Sequence, residues 1–420
     1  MKEQINVGVI GLGGRGRGLL NTILGLENVQ VPAVSDLFEN RCQMGVEQVE
    51  KATGKAPFST DNYKDILAMP EIDAIVIPAS WADHIHIAVD SMKAGKYVSF
   101  EVGGAYSIDE CWELVRTHEE TGVPCMMLEN CNYGQKELMA LNMVKKGIFG
   151  EVVHCQGGYH HDLRHSLTHG RENRHYRQAN YMHRNCENYP THELGPIAKI
   201  LDINRGNRML NLVSMASKAR GLKEYAKREK GEDDYASKFD YAQGDIVITI
   251  IKCAHGETIT LTLDTTLPRA YSRGFQVHGT KALYMEDNNS LFIDQVHNEY
   301  DNNWFEQWNN VEELRKEYDH PIWQTYTPDE EAGHGGMDVL VLEAFFDSVR
   351  RKVQTPIDVY DTASWMSITT LSEDSIAMGG MPVAIPDFTN GRWINREEAP
   401  KGPYCLAEVC ECEKQGNVRP

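Results

Sequence analysis

The hexapeptide Gly11-Leu12-Gly13-Gly14-Arg15-Gly16 follows the apolar run Ile5 to Ile10 directly and opens an amphipathic stretch. Glycine at the first, third and sixth places lets a chain turn sharply from strand to helix and lets its backbone approach a pyrophosphate, whose charge then meets the positive end of that helix. This feature constrains the chain to begin as a βαβ unit with a parallel sheet. Asp36 closes the next apolar run, about 20 residues further on, where an acidic side chain accepts hydrogen bonds from an adenosine ribose and repels a 2′-phosphate. The cofactor expected is therefore NAD rather than NADP, held by Gly11, Gly13, Gly14, Arg15, Gly16 and Asp36.

The same alternation continues. Short apolar runs at Ile5 to Ile10, Val29 to Val34, Ala74 to Pro78, Tyr97 to Phe100 and Pro124 to Leu128 read as buried parallel strands. Helices are expected near 15–25, 39–53, 84–94 and 107–121, the last opened by Ser107 and Glu110 at the spacing of a capping box. After about residue 130 the texture changes to a helix near 134–147, a polar histidine-rich stretch, and two apolar runs, 246–251 and 258–263, joined at His255-Gly256 as a hairpin. Helices near 337–352 and 360–377 follow. The expected fold is an α/β Rossmann dinucleotide-binding domain over 1–127, then an α+β domain over 128–385 with a large open, mainly antiparallel sheet, then an irregular surface tail over 386–420.

Composition narrows the partners. The 420 residues carry 42 Lys and Arg against 61 Asp and Glu, a net charge of −19, so nucleic acid meets repulsion and is not expected. No apolar run approaches the roughly 18 residues of a membrane-spanning helix. The first residues lack the basic and apolar regions of an export signal, which places the chain in the cytoplasm. The 10 cysteines are scattered and read as reduced thiols, Cys405, Cys410 and Cys412 included, because no Cys-x-x-Cys pair accompanies them.

Ligands of open α/β sheets sit outside the carboxyl ends of the strands. Two such ends stand out: Ile77-Pro78-Ala79-Ser80-Trp81-Ala82-Asp83-His84, and Phe100-Glu101-Val102-Gly103-Gly104. Trp81 is suited to pack on the cofactor and Glu101 to accept from a ribose or a substrate hydroxyl. Of the 16 histidines, eight fall between 154 and 192, but none shows a metal-binding spacing such as His-Glu-x-x-His, so no metal is expected. Substrate lining is the favoured role for that stretch, with His161 as its candidate.

The glycine fingerprint, Trp81-x-x-His84, Glu101 and the α+β second half together resemble the Gfo/Idh/MocA oxidoreductase superfamily. Within it, Tyr189-Pro190-Thr191-His192, Gly158-Tyr159-His160-His161, Leu267-Pro268-Arg269-Ala270-Tyr271 and His334-Gly335-Gly336-Met337-Asp338 resemble the glycoside hydrolase family 109 branch, whose best-known activity is α-N-acetylgalactosaminidase. Three places depart from the pattern: Val102 stands where the superfamily usually has lysine, Glu193 follows His192 where glycine is usual, and Tyr176-Arg177 replaces Trp-Arg. The resemblance implies NAD contacts from Gly14, Arg15, Asp36, Trp81 to His84, Glu101, Val102 and Asn130, and sugar contacts from Tyr159, Arg177, Tyr189 to His192 and Tyr271. It implies an exo-glycosidase for α-N-acetylgalactosaminides or related glycosides that oxidises C3 transiently, eliminates, adds water and re-reduces. Tyr189, His192 and Tyr271 are the candidate proton carriers, with the division of labour among them open. The alternatives are a net sugar or inositol dehydrogenase, for which the missing lysine is unfavourable, and a non-catalytic NAD- or sugar-binding protein. A homo-oligomer, dimer or tetramer, is the expected assembly.

Overall fold

A computed structural model of the chain describes residues 4–297, 307–328, 333–396 and 401–406. The chain packs as two units that are interleaved in sequence. One comprises Met1–Gly134, Pro321–Ala363 and Glu397–Pro420, the other Gln135–His320 and Ser364–Arg396. Packing therefore does not follow a linear division at 127/128 and 385/386: a late segment returns to the first unit.

The first unit holds the strands β1 (Ile5–Ile10), β2 (Val29–Ser35), β3 (Phe58–Thr60), β4 (Ala74–Ile77), β5 (Tyr97–Phe100) and β6 (Cys125–Met127). All pairings are parallel, in the order β3-β2-β1-β4-β5-β6 of a dinucleotide-binding sheet. The strands are continuously apolar because both faces are covered; all four residues of β4 are buried. Helices Gly14–Leu24, Glu39–Thr53, Trp81–Lys93 and Ile108–Thr121 fill the expected crossovers. Ser107 and Glu110 close the capping box, each side chain bonding the other's backbone N–H. The third helix starts three residues before the expected 84, at Trp81. The returning helix Met337–Arg351 packs against Gly14–Leu24 and the turn Asn130–Tyr133.

The second unit is built on β7 (Val152–His160), β8 (Met209–Ala216), β9 (Ile246–Cys253), β10 (Thr258–Asp264), β11 (Gln276–Gly279), β12 (Ala282–Met285), β13 (Ser290–Ile293) and β14 (Val383–Ala384). Their order is β13-β12-β11-β7-β10-β9-β8-β14, antiparallel throughout except for the β7–β10 pair. The expected hairpin is β9–β10. Its alternation sends Val247, Thr249 and Ile251 inward and leaves Ile248 and Ile250 exposed, so one sheet face is covered and the other open. On the covered face lies helix Thr191–Ile200, every residue of which is buried.

The expected surface tail is corrected at its start. Phe388 and Thr389 are fully buried, and the Asp387 carboxylate accepts from the backbone N–H of Thr389 and Gly391 and from the Thr389 hydroxyl. That local closure anchors 388–389 in the second unit, while Asn390, Gly391, Arg392, Ile394 and Asn395 stay exposed, as a surface segment would be. Cys410 and Cys412 lie outside the described residues. No helix among the described residues is long and apolar enough to cross a membrane.

Candidate active site

In the first unit the glycines take distinct tasks. Gly11 has φ +109°, and a Cβ there would meet the Ala79 backbone nitrogen at 2.7 Å. A Cβ on Gly16 would collide with the Gly11 carbonyl, so this glycine lets the helix lie against the loop. A Cβ added at Gly14 would meet nothing within 4 Å, and the helix Gly14–Leu24 starts from Gly13 as its N-cap with no side-chain cap and no acidic residue in its first turn. Backbone amides at an open, positively polarised helix start fit a pyrophosphate.

The Asp36 carboxylate is pinned beside this loop. It accepts the Leu12 N–H at 2.7 Å and the Phe38 N–H at 3.0 Å, with Arg41 3.9 Å away. Trp81 lies on Gly103, where an added Cβ would come within 2.5 Å of the indole edge. His84 is wholly buried against Phe100 and bonds the Ala79 carbonyl; burial pushes its pKa down to about 4, so the ring is neutral. Val102 is buried beside Glu101.

Arg15 is the hub of this unit. Its guanidinium forks onto Asp338 at 2.6 and 2.9 Å and reaches Glu101 through Nε and Nη2 at 2.9 and 2.8 Å. Asp338 also accepts from Asn130 at 2.8 Å and pairs with His334 at 2.9 Å. Burial alone would raise the Asp338 pKa; the hydrogen bonds from Arg15 and His334 outweigh it and hold the carboxyl well below its ordinary range. His334 and Gly335 both have positive φ, a bend that delivers the histidine to the helix start at Met337. Three expected cofactor residues, Arg15, Glu101 and Asn130, are thus tied to Asp338. Its motif carries the family resemblance, yet no local signal gives it a partner more than 300 positions away.

In the second unit the expected sugar residues converge. Tyr159 on β7 lies 4.2 Å from Tyr189, 5.3 Å from His192 and 6.5 Å from Tyr271, ring centre to ring centre. Tyr189 meets His192 edge-on at 4.7 Å, and His161 meets Tyr271 at 5.2 Å. The Tyr159 hydroxyl and His161 Nδ1 share a hydrogen bond of 2.8 Å. Arg177 caps the group, its guanidinium carbon 4.7 Å from the centre of the Tyr189 ring. Burial opposes the Arg177 charge, but the tyrosines around it, Tyr176, Tyr189 and Tyr159, keep it firmly protonated. Tyr159, Tyr189 and His192 are buried, whereas Tyr271 is 50% exposed.

Pro190 precedes the helix Thr191–Ile200, so Tyr189 and His192 leave the chain on either side of a fixed first turn. Upstream lies a residue that carries no signal in the sequence, Glu187. It is fully buried, one oxygen accepts the Tyr189 N–H, the other has no hydrogen-bond partner among the described residues, and burial pushes its pKa up to about 8.

With this geometry in place, comparison with known proteins is direct. Residues 133–395 match the C-terminal domain of glycosyl hydrolase 109, and residues 5–129 match the NAD-binding Rossmann fold of an oxidoreductase family. An α-N-acetylgalactosaminidase of Tannerella forsythia is 38% identical over 94% of this chain and 88% of its own. The chain belongs to glycoside hydrolase family 109. Another family 109 protein, from Parabacteroides distasonis, is 36% identical over 94% of this chain and 89% of its own. Among solved structures, a myo-inositol 2-dehydrogenase from Lactobacillus plantarum superposes with a TM-score of 0.66 at 14% identity, over 91% of this chain and 100% of that one. A levoglucosan dehydrogenase in complex with NADH and L-sorbose gives 0.66 at 15% identity, over 92% of this chain and 100% of that one. At such identity these two speak for the fold alone, the scaffold on which this family 109 chain is built; the match of residues 5–129 to an NAD-binding Rossmann fold is what shows a nicotinamide dinucleotide as the cofactor.

Proposed function

We propose that this family 109 enzyme is an exo-acting glycosidase for α-N-acetylgalactosaminides or closely related glycosides, with NAD as a recycled cofactor. The observation that carries the reading is the convergence of Tyr159, Tyr189, His192 and Tyr271 beneath Arg177. Gly11 to Gly16, Asp36, Trp81, Glu101 and Asn130 are the residues that would hold the dinucleotide. Asp36 favours NAD over NADP, since its fixed carboxylate suits a ribose diol and repels a 2′-phosphate. The chemistry supplied by the bound dinucleotide is reversible acceptance of the hydride from the sugar C3, with no net consumption.

The chain's own residues move the protons. One base takes the proton of the C3 hydroxyl. A second takes the proton at C2, which the C3 ketone acidifies, and the electron pair left at C2 expels the aglycone oxygen from C1. Water then adds at C1 while a proton returns to C2. Tyr189, His192 and Tyr271 are assigned to these transfers, because phenol and imidazole both exchange protons when a site tunes them. Arg177 supports negative charge on the oxygens it faces. C1 is planar before water adds, so both anomers are expected to be substrates.

A panel of nitrophenyl glycosides, with both anomers of N-acetylgalactosamine, glucose, galactose and glucuronic acid, tests this when nitrophenol and NADH are followed separately. Nitrophenol release without net NADH is expected. NADH accumulating from free sugars without glycoside cleavage would mean a dehydrogenase; dinucleotide binding with no turnover would mean a sensor.

Two further expectations accompany the reading. Self-association is supported by the exposed Ile248, Ile250 and Met215 on the open sheet face, and light scattering of wild type against Ile250→Lys tests it. A cytoplasmic location is supported by the eight cysteines among the described residues, all unbridged and seven of them buried; fractionation of expressing cells tests that.

A further inference from the structure

Arg273, two residues beyond Tyr271, has a side chain only 10% exposed, set among three carboxylates of the second unit. Its Nη2 pairs with Glu137, from helix Gln135–Lys145, and its Nε lies 2.7 Å from Glu193 Oε1. Glu286, beyond the end of β12, stands 3.8 Å away, and its other oxygen accepts the backbone N–H of Arg273 and Phe275 at 3.2 and 3.1 Å. Glu193 directly follows His192 and is fully buried. A Cβ on Gly157 of β7 would come within 2.5 Å of the Glu193 Cβ, so the strand that carries Tyr159 is cut away to admit this carboxylate. Burial raises the Glu137 pKa, with Glu286 adding and Arg273 opposing.

We infer that Arg273 is a positioning residue: one guanidinium fixes the loop of Tyr271 against the helix of His192, over the strand of Tyr159. The warrant is the cost of separation. A buried carboxylate that loses its cation is left desolvated and unpaired, so neither the helix nor the loop can shift without stranding charge. The planar guanidinium serves Glu137 and Glu193 from different nitrogens, which the single ammonium of a lysine cannot reproduce. Arg273 and Glu193 thus act on the reaction through Tyr271 and His192, without taking part in proton transfer. The inference rests on the glycosidase reading above.

The test uses the NAD-loaded full chain, wild type against Arg273→Lys and Glu193→Gln, with the best nitrophenyl glycoside of the panel and its C2-deuterated form. A displacement near 1 Å costs about 100-fold in rate, so Arg273→Lys is expected to lose roughly 10- to 100-fold in kcat. KM is expected to change by less than about threefold, dinucleotide affinity to hold, and the deuterium isotope effect to change because proton transfer is mispositioned. Wild-type kcat in a folded Arg273→Lys overturns the inference. So does a loss that tracks the folded fraction with an unchanged isotope effect, since that describes a structural role. Should Arg273→Lys fail to fold, Glu193→Gln, which keeps the side-chain shape, decides by the same criteria. Failure of the wild type itself to cleave any glycoside refutes the glycosidase reading, and the inference falls with it; with an active wild type, the variants test Arg273 alone.

Discussion

Asp338→Asn removes one charge and changes little shape, which makes it the sharpest probe of the first unit. The carboxylate is almost fully buried and holds Arg15 through two bonds of 2.6 and 2.9 Å, with Asn130 at 2.8 Å and His334 at 2.9 Å as further partners. Charge-assisted hydrogen bonds contribute about 1.5–3 kcal/mol each, and breaking a buried pair costs about 3–5 kcal/mol. Arg15 keeps Glu101, so the expected loss is at the lower end, about 2–4 kcal/mol. At roughly 2–4 °C per kcal/mol, the melting temperature of the dinucleotide-binding unit should fall by about 5–15 °C. Because Arg15 and Asn130 are both candidate cofactor contacts, the dissociation constant for NAD should rise about tenfold, equivalent to about 1.4 kcal/mol. Thermal melts and a fluorescence titration read the two effects. The pH dependence supplies an independent sign. The folded pKa of Asp338 is depressed, so its stabilisation is present above the unfolded value of about 3.9 and is lost as pH falls through the folded one. The gap between wild type and variant must therefore narrow below about pH 4. Melting temperatures within about 1 °C and affinities within twofold at neutral pH would refute the reasoning, since a pair of this burial cannot be removed at so small a cost.

Asp36→Ala is expected to shift the NAD:NADP affinity ratio toward NADP by about tenfold or more, a single charge contact of about 1.4 kcal/mol, and parallel titrations with the two dinucleotides measure it. His192→Ala and Tyr189→Phe should each lower glycoside turnover by about 10²–10⁴-fold with NAD affinity unchanged; turnover at the wild-type level in either variant would remove that residue from the proton-transfer set. Glu187 has a raised folded pKa near 8, so its favourable contribution is present below about pH 4.3 and lost as pH rises toward 8. Glu187→Gln, neutral at every pH, should therefore melt above wild type at pH 8–9 and lose that advantage near pH 4; parallel melts across that range check the sign.

Much of the first unit was legible because each element announces itself locally. The glycine loop, the apolar runs and the Ser107–Glu110 capping box are written within a few residues of where they act, and each stands in the structure. β3 escaped because three edge residues, Phe58–Thr60, are too few to show a period. In the second unit the resemblance identified the aromatic cluster, while its supports stayed hidden. Glu193 reads as a surface residue in any pattern that counts charge, yet it is fully buried because Gly157 vacates the space and Arg273 supplies the countercharge. Asp338 and Asp387 were obscured in the same way. A carboxylate's role depends on which donor the fold brings to it, and that donor is distant for Asp338 and a matter of backbone turn for Asp387.

The placement of titratable groups bears on which chemistry suits this chain. Where the superfamily usually carries a lysine, Val102 is apolar and buried, and the neighbouring Glu101 is engaged by Arg15. His84, from the neighbouring strand-end motif, is held neutral with its ring enclosed against Phe100. The strand ends of the dinucleotide-binding unit thus present fixed charges and packing surfaces more than a mobile proton carrier. Proton-exchanging side chains gather instead in the second unit, where Tyr159, His161, Tyr189, His192 and Tyr271 stand ring to ring under one arginine. A net dehydrogenase needs one base at one hydroxyl. Elimination and hydration need protons moved at the C3 hydroxyl, at C2 and at the water that enters C1, and a cluster of several phenols and imidazoles is the side-chain chemistry that such a sequence of transfers demands.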